Sequence, residues 1–280
     1  MAIFFNIAAS ALLGTFIGFI RFYLKQQWYK VRFNSFNLLH KTGLSPGEKA
    51  LLTSKFPYYR FLGYLLKIEF EKRLLFLIHD KKFIIRSRII SEVTREMQIE
   101  IGAIAVQISL GLPALKLMHF NRILIYDDAY YNKITRKMHQ GEVNQMGLIV
   151  LSWAHFQKGI ENPYDGKNLG LHEFAHAIKL ENSIENREYD FISGRLLGKL
   201  EKLFNQRRAD IKNGLTALRP YAGTNLHEFF ACGVEWFFEA PRELKDSEPE
   251  LYKLLCRLLK QDPLFMASQN ERITRLLPER

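Results

Sequence analysis

The sequence predicts an α+β fold: a mostly helical domain with a small mixed β-sheet, preceded by an N-terminal transmembrane helix. Three observations carry this reading. Apolar residues recur at three- and four-residue spacing over long stretches, short β-branched runs bounded by turn residues occupy the middle of the chain, and Ala2 to Ile20 contains no charged residue.

The elements follow in order. Nineteen residues from Ala2 to Ile20, at a rise of ~1.5 Å each, reach roughly one hydrocarbon thickness. No Lys or Arg precedes the run and no small-residue cleavage site closes it, so it reads as an anchor, not as a cleaved signal. Arg21, Lys25, Lys30 and Arg32 come next, and the positive-inside rule then leaves the body in the cytoplasm, as a single-pass inner (plasma) membrane protein. Trp28 to His40 is amphipathic and basic, a juxtamembrane helix. Ser45-Pro46-Gly47-Glu48 reads as a capping box with proline at the first helical position. Leu74 to Ile90 is ambiguous between helix and strand. From Glu92 to about Leu110 the stripe of Val93, Met97, Ile101, Ile104, Ala105 and Ile108 predicts a core-facing helix. Strands are expected at Arg122–Tyr126, Ile134–Met138 and Gly147–Trp153. After a turn at Pro163–Asn168, helices are expected at about 169–181, 191–206, 226–239 and 248–260.

With 48% hydrophobic and 25% charged residues and no low-complexity tract, the chain is globular. Its formal charge of +11 is concentrated in short clusters such as Lys81-Lys82 with Arg86 and Arg88, and Arg207-Arg208. This excess is read as a solvated face near an anionic bilayer, with the membrane itself engaged through residues 2–20. No nucleic-acid module accompanies the charge, so nucleic acid is not an expected partner. Cys232 and Cys256 are the only cysteines, which excludes a disulfide framework and a zinc finger.

The chemistry-bearing segment is His172-Glu173-Phe174-Ala175-His176. Histidines four apart on a helix stand on one face, where both imidazoles reach one ion. Glu173 follows the first histidine and can act as general base on a zinc-activated water. A third ligand is required, and the helix Leu226–Glu239 offers Glu228 and Glu235, two turns apart on one face about 20° from each other. Cys232 lies between them as a soft alternative. Tyr189, Tyr221 and His227 are candidates for stabilising an oxyanion. The strand Gly147–Trp153 is the expected edge along which an extended peptide would lie.

These residues resemble the Mlc titration factor A family of zinc-dependent peptidases, of gluzincin type and distantly similar to lethal-factor-type metallopeptidases. The resemblance runs over roughly 90–265. It is carried by Leu151-Ser152-Trp153, Asp165-Gly166-Lys167-Asn168, Leu171 to His176, Tyr221 to Asn225, Glu228 to Ala231, Glu235, Pro241, Pro249 to Tyr252 and Gln261-Asp262-Pro263. It implies a zincin-like metallopeptidase domain holding one Zn2+ ion through His172, His176 and Glu235, the glutamate 63 residues after the first histidine. Glu228 is then a catalytic candidate beside Glu173. The resemblance also implies aminopeptidase-like activity on small peptides and, by resemblance alone, binding of a transcriptional repressor. Lys179 departs from the family pattern, standing where a carboxylate is usual, with Glu181 nearby.

The expected division is a membrane anchor at 1–24, a juxtamembrane and N-terminal helical segment at 25–90, the zincin-like domain at 91–265 and a polar tail at 266–280. The expected function is a membrane-tethered zinc peptidase acting on a peptide or protein substrate. The alternative is a regulatory or binding protein that retains a zinc site with little turnover.

Overall fold

The computed structural model describes residues 2–39, 43–112, 117–133, 135–184 and 193–266. The chain divides into two compact units, Met1–Gly43 and Leu44–Arg280.

The first unit contains one helix, α1 (Ala2–Leu39). Among the described residues no helix is long and apolar enough to cross a membrane. This corrects the expected transmembrane helix at 2–20, and with it the single-pass inner-membrane location. Asn6, Ser10 and Thr15 interrupt the apolar run, and α1 continues without a break through Arg21, Lys25, Lys30 and Arg32. Charge absence over nineteen residues marked out a segment that the backbone does not.

The second unit begins with α2 (Pro46–Lys55), α3 (Pro57–Phe61) and α4 (Tyr64–Asp80). The capping box read from the sequence forms: Glu48 N–H donates to Ser45 Oγ at 3.3 Å, and Ser45 N–H donates to Glu48 Oε2 at 2.7 Å. The ambiguous stretch 74–90 divides in two, helix to Asp80 and then strand β1 (Lys82–Ile85). Its division point lies at Lys81, whose N–H still bonds back to Leu77, while Lys82 N–H reaches across to Asn121 O.

Helix α5 (Arg95–Ser109) runs through the core, with Ile101, Ala103, Ala105, Val106 and Ile108 fully buried. Gly102 lets α4 approach it, since a Cβ there would sit 2.5 Å from Leu74 Cδ1. The strands β2 (Arg122–Tyr126), β3 (Tyr130–Asn132), β4 (Lys137–His139), β5 (Gly141–Asn144) and β6 (Leu148–Ser152) follow. Of the strand expected at 134–138, Ile134 lies outside the described residues and the rest falls partly in β4.

The main sheet has the order β1-β2-β6-β5, parallel except for β5, which runs antiparallel to β6. The expected edge strand at 147–153 is therefore interior, and β5 takes the edge. Ile123, Ile125, Ile149 and Leu151 of the sheet are at most 1% exposed. β3 and β4 form a separate hairpin.

Ser152 ends β6 and caps α6 (Trp153–Glu161). Then come α7 (Leu169–Ile184), α8 (Gly194–Lys212), a 3-10 turn (Pro220–Gly223) and α9 (Leu226–Glu239). The helix expected at 248–260 forms as α11 (Pro249–Leu259), and a short helix not expected from the sequence, α10 (Pro241–Ser247), precedes it, each opened by a proline. Phe229, Phe230 and Phe237 of α9 are no more than 1% exposed. Each contributes about 1.5–3 kcal/mol by burial and fixes which face of α9 turns toward α7.

Candidate metal centre

Asn168 sets the start of α7. Its Oδ1 accepts from Leu171 N–H at 3.0 Å and its backbone C=O accepts from His172 N–H at 2.9 Å. Its Nδ2 donates to Gly159 O and to Glu239 Oε1, and its N–H donates to Glu235 Oε2 at 2.7 Å. One buried side chain thus ties α6, α7 and α9 together before the first histidine.

One turn on, the rings of His172 and His176 stand edge to face at 87° with centroids 4.6 Å apart. Their Nε2 atoms are 3.1 Å apart. Glu228 Oε2 lies 3.1 Å from His172 Nε2 and 3.5 Å from His176 Nε2. That oxygen is buried and makes no well-formed hydrogen bond.

Glu235 lies elsewhere. Its Oε1 is 2.8 Å from the opposite ring nitrogen, His172 Nδ1. Arg219 grips the same carboxylate, with Nη2 at 2.6 Å from Oε1 and Nη1 at 3.1 Å from Oε2. A carboxylate accepts, so Nδ1 carries a proton, and in the neutral, ligating form of the ring it is the Nε2 lone pair that faces His176 and Glu228. Two groups of ligand atoms meet here: His172, His176 and Glu228, and behind them His172, Cys232 and Glu235.

The electrostatics reflect this crowding. Burial disfavours a charge on His172, but hydrogen bonds to Cys232, Glu228 and Glu235 outweigh it and hold the imidazole well above its ordinary value. Burial likewise acts to raise Glu228, and the close approach of the His172 and His176 imidazoles overcomes it, leaving the carboxyl far below the usual range. Glu173, 5% exposed, is pushed up to about 8 by desolvation, with His172 opposing and Glu228, Glu235 and Glu142 adding to the rise.

Glu173 packs against the edge strand. A Cβ at Gly141 would lie 2.4 Å from Glu173 Oε1 and 2.6 Å from its Cδ and Cγ, so only glycine admits the carboxylate here. His172, Glu173, Arg219, Tyr221 and Glu235 all line a cleft of about 860 Å3 that also reaches Gly141. The Tyr221 ring lies 6.1 Å from that of His172, and burial and the charge of Glu228 raise its phenol.

Other expectations fare differently. His227 does not line the cleft, and its backbone N–H is taken by Asn225. Tyr189 lies outside the described residues. Glu181 is not at the centre: its carboxylate accepts the N–H groups of Leu117, Met118 and His119. Lys179 donates to Leu226 O at 3.3 Å, at the first turn of α9. Arg219 and Gly141 are the residues that sequence reasoning passed over as functional. Neither carries a motif: Arg219 reaches Glu235 from outside α9, and Gly141 meets Glu173 only through the pairing of β5 with β6.

A family model described as glucose-regulated metallo-peptidase M90 matches residues 26–260. An uncharacterized protein of Synechocystis sp. is 27% identical over 246 residues, covering 81% of this chain and 88% of the relative. The Mlc titration factor A proteins of Yersinia pestis (strain Pestoides F) and of Yersinia pseudotuberculosis serotype O:1b are each 27% identical over 206 residues, covering 67% of this chain and 75% of the relative. The two histidines, the glutamate between them and the helix that meets them all fall inside the matched span, and the chain belongs to the glucose-regulated metallo-peptidase M90 family.

Proposed function

We propose that the chain is a zinc-dependent peptidase whose ion is held by His172, His176 and Glu228, with Glu173 as general base. The observation that carries this reading is the triangle of ligand atoms with edges of 3.1, 3.1 and 3.5 Å. A tetrahedral ion with bonds of about 2.0–2.1 Å spaces its ligands ~3.3 Å apart, so these three atoms lie at the spacing such an ion requires. The buried Glu228 oxygen without a hydrogen bond supports the same reading, because an acceptor so placed is costly unless a cation satisfies it.

Zinc bound there would polarise the scissile carbonyl and lower the pKa of a water at its open position. Glu173 takes the attacking water's proton on a carboxylate oxygen and passes it to the departing amine nitrogen. Glu235, clamped by Arg219, fixes the tautomer and orientation of His172. This assigns Glu235 to the back of the histidine, whereas the family spacing had pointed to it as a ligand. The free edge of β5 offers backbone groups to an extended peptide, laying it beside Glu173. Tyr221 is suited to donate to the developing oxyanion.

The printed name of the Yersinia relatives, a titration factor, favours a second reading: a protein that binds a partner and turns over little. The two separate on zinc content and peptide hydrolysis of wild type and Glu173→Gln. The enzyme reading expects Glu173→Gln to keep one zinc and lose hydrolysis by at least ~100-fold. Equal hydrolysis by both proteins would sink it.

A further inference from the structure

The cleft is ringed by cations that the proposed chemistry does not use. Lys137 comes from β4, Lys158 from α6 and Lys167 from the loop that precedes α7, and all three line the same opening. Each is exposed, and among the described residues none of them makes an ion pair. Away from the cleft the exposed Lys49 and Arg95 are paired, with Glu71 and Glu48, and so are the half-buried Lys55, with Glu96 and Glu100, and Arg207, with Asp210 and Glu248.

The cleft wall carries four cationic side chains, Lys137, Lys158, Lys167 and Arg219, against three carboxylates, Asp165, Glu173 and Glu235. Glu235 is committed to Arg219, and Glu173 sits at the reacting end against Gly141. Asp165, which accepts from Asn162 Nδ2 and Lys167 N–H, offsets one of the three lysines. Three lysines supplied by three separate elements therefore face the space that an extended peptide on β5 would occupy. A concave opening with an excess of one sign of charge raises the local concentration of the opposite sign and favours it on binding.

We infer that the cleft selects peptides with acidic side chains close to the scissile bond, held by Lys137, Lys158 and Lys167. This inference rests on the peptidase reading above and names its substrate class. The lysines act on binding, not on the bond-breaking step, so the preference falls mainly on KM.

Three fluorogenic peptides that differ only in two residues flanking the scissile bond, Glu, Gln or Lys, test it on the full-length protein. The expected order of kcat/KM is Glu above Gln above Lys, with about tenfold between the extremes at low salt. The spread should shrink in about 0.5 M NaCl, where screening acts within a few ångströms. It should also collapse toward unity, or invert, in a Lys137→Glu/Lys158→Glu/Lys167→Glu variant, whose folding is checked by its thermal transition. An equal rate for all three peptides, a preference for Lys, or an acidic preference untouched by the triple variant would overturn the inference. If wild type hydrolyses none of the peptides, the peptidase reading fails by itself. Fluorescence anisotropy of the labelled Glu and Lys peptides with the same proteins then decides the charge preference, and equal binding rejects it.

Discussion

Oε1 of Glu235 lies 2.8 Å from Nδ1 of His172, on the edge of the ring opposite the one that faces His176 and Glu228. A histidine has two nitrogens, and this contact commits one of them to a carboxylate already neutralised by Arg219. In the neutral, ligating form of the ring the other has a lone pair pointing at a second imidazole and a second carboxylate. The two glutamates on α9 thereby meet opposite edges of one ring, although they share one helical face.

That division predicts opposite behaviour for two substitutions. Glu228→Ala removes a member of the triangle, and metal content after dialysis is expected to fall to near zero. Glu235→Gln keeps an acceptor oxygen at His172 Nδ1 but weakens it, and metal affinity is expected to drop by about 10–100-fold while the metal still binds at saturation. Competition with a chelator measures both. The reverse ranking would return the ligand role to Glu235.

Arg219 is expected to matter for stability before chemistry. The Glu235 side chain is 2% exposed and that of Arg219 28%. Removing one member of such a pair leaves a buried charge with too few partners, at about 3–5 kcal/mol for a fully buried pair. The partial exposure of Arg219 places Arg219→Met toward the lower end, about 3 kcal/mol. Urea unfolding of wild type and Arg219→Met measures it, and adding Glu235→Gln to the variant should recover part of the loss.

Gly141→Ala is expected to leave metal content and the thermal transition near wild type while cutting hydrolysis by roughly 100-fold. The added methyl would occupy the space of the Glu173 carboxylate, 2.4 Å from Oε1. The side chain of Glu173 must then turn away, and a general base misplaced by about 1 Å loses catalysis on that scale. Wild-type kcat in Gly141→Ala would show that Glu173 has room the structure does not give it.

The sequence made the helices of the site legible for a plain reason. The three- and four-residue spacing of α5, the two histidines of α7 and the aromatic face of α9 are local patterns, and each forms close to the expected bounds. What escaped was set by pairing between distant segments. Residues 148–152 look like any buried strand, and only the register with both β2 and β5 shows that they are interior. Glu228 and Glu235 are equivalent by spacing, and what distinguishes them is Arg219, sixteen positions from Glu235 and unmarked by any motif. The apolar run at 2–20 was legible as composition but not as part of a longer continuous helix.

Lys179 carries the last expectation, a pH dependence. Burial lowers its ammonium to about 8, against the raising influence of Glu201 and Glu228. An unfolded lysine titrates near 10.5, so between about 8 and 10.5 the unfolded chain holds a proton that the folded one has released. Stability contributed by this group therefore rises with pH across that window, and below it the folded state bears the cost of a buried charge. Lys179→Met removes the charge and keeps the apolar stem that passes the Phe230 ring. It gives up one hydrogen bond, to Leu226 O. The expected result is that the difference in thermal transition, variant minus wild type, is largest near pH 7 and shrinks as the pH approaches 10. Taking the difference cancels the other groups that titrate in the same range. A difference that stays flat from pH 7 to 10 would mean that Lys179 keeps its ordinary proton affinity in the folded chain.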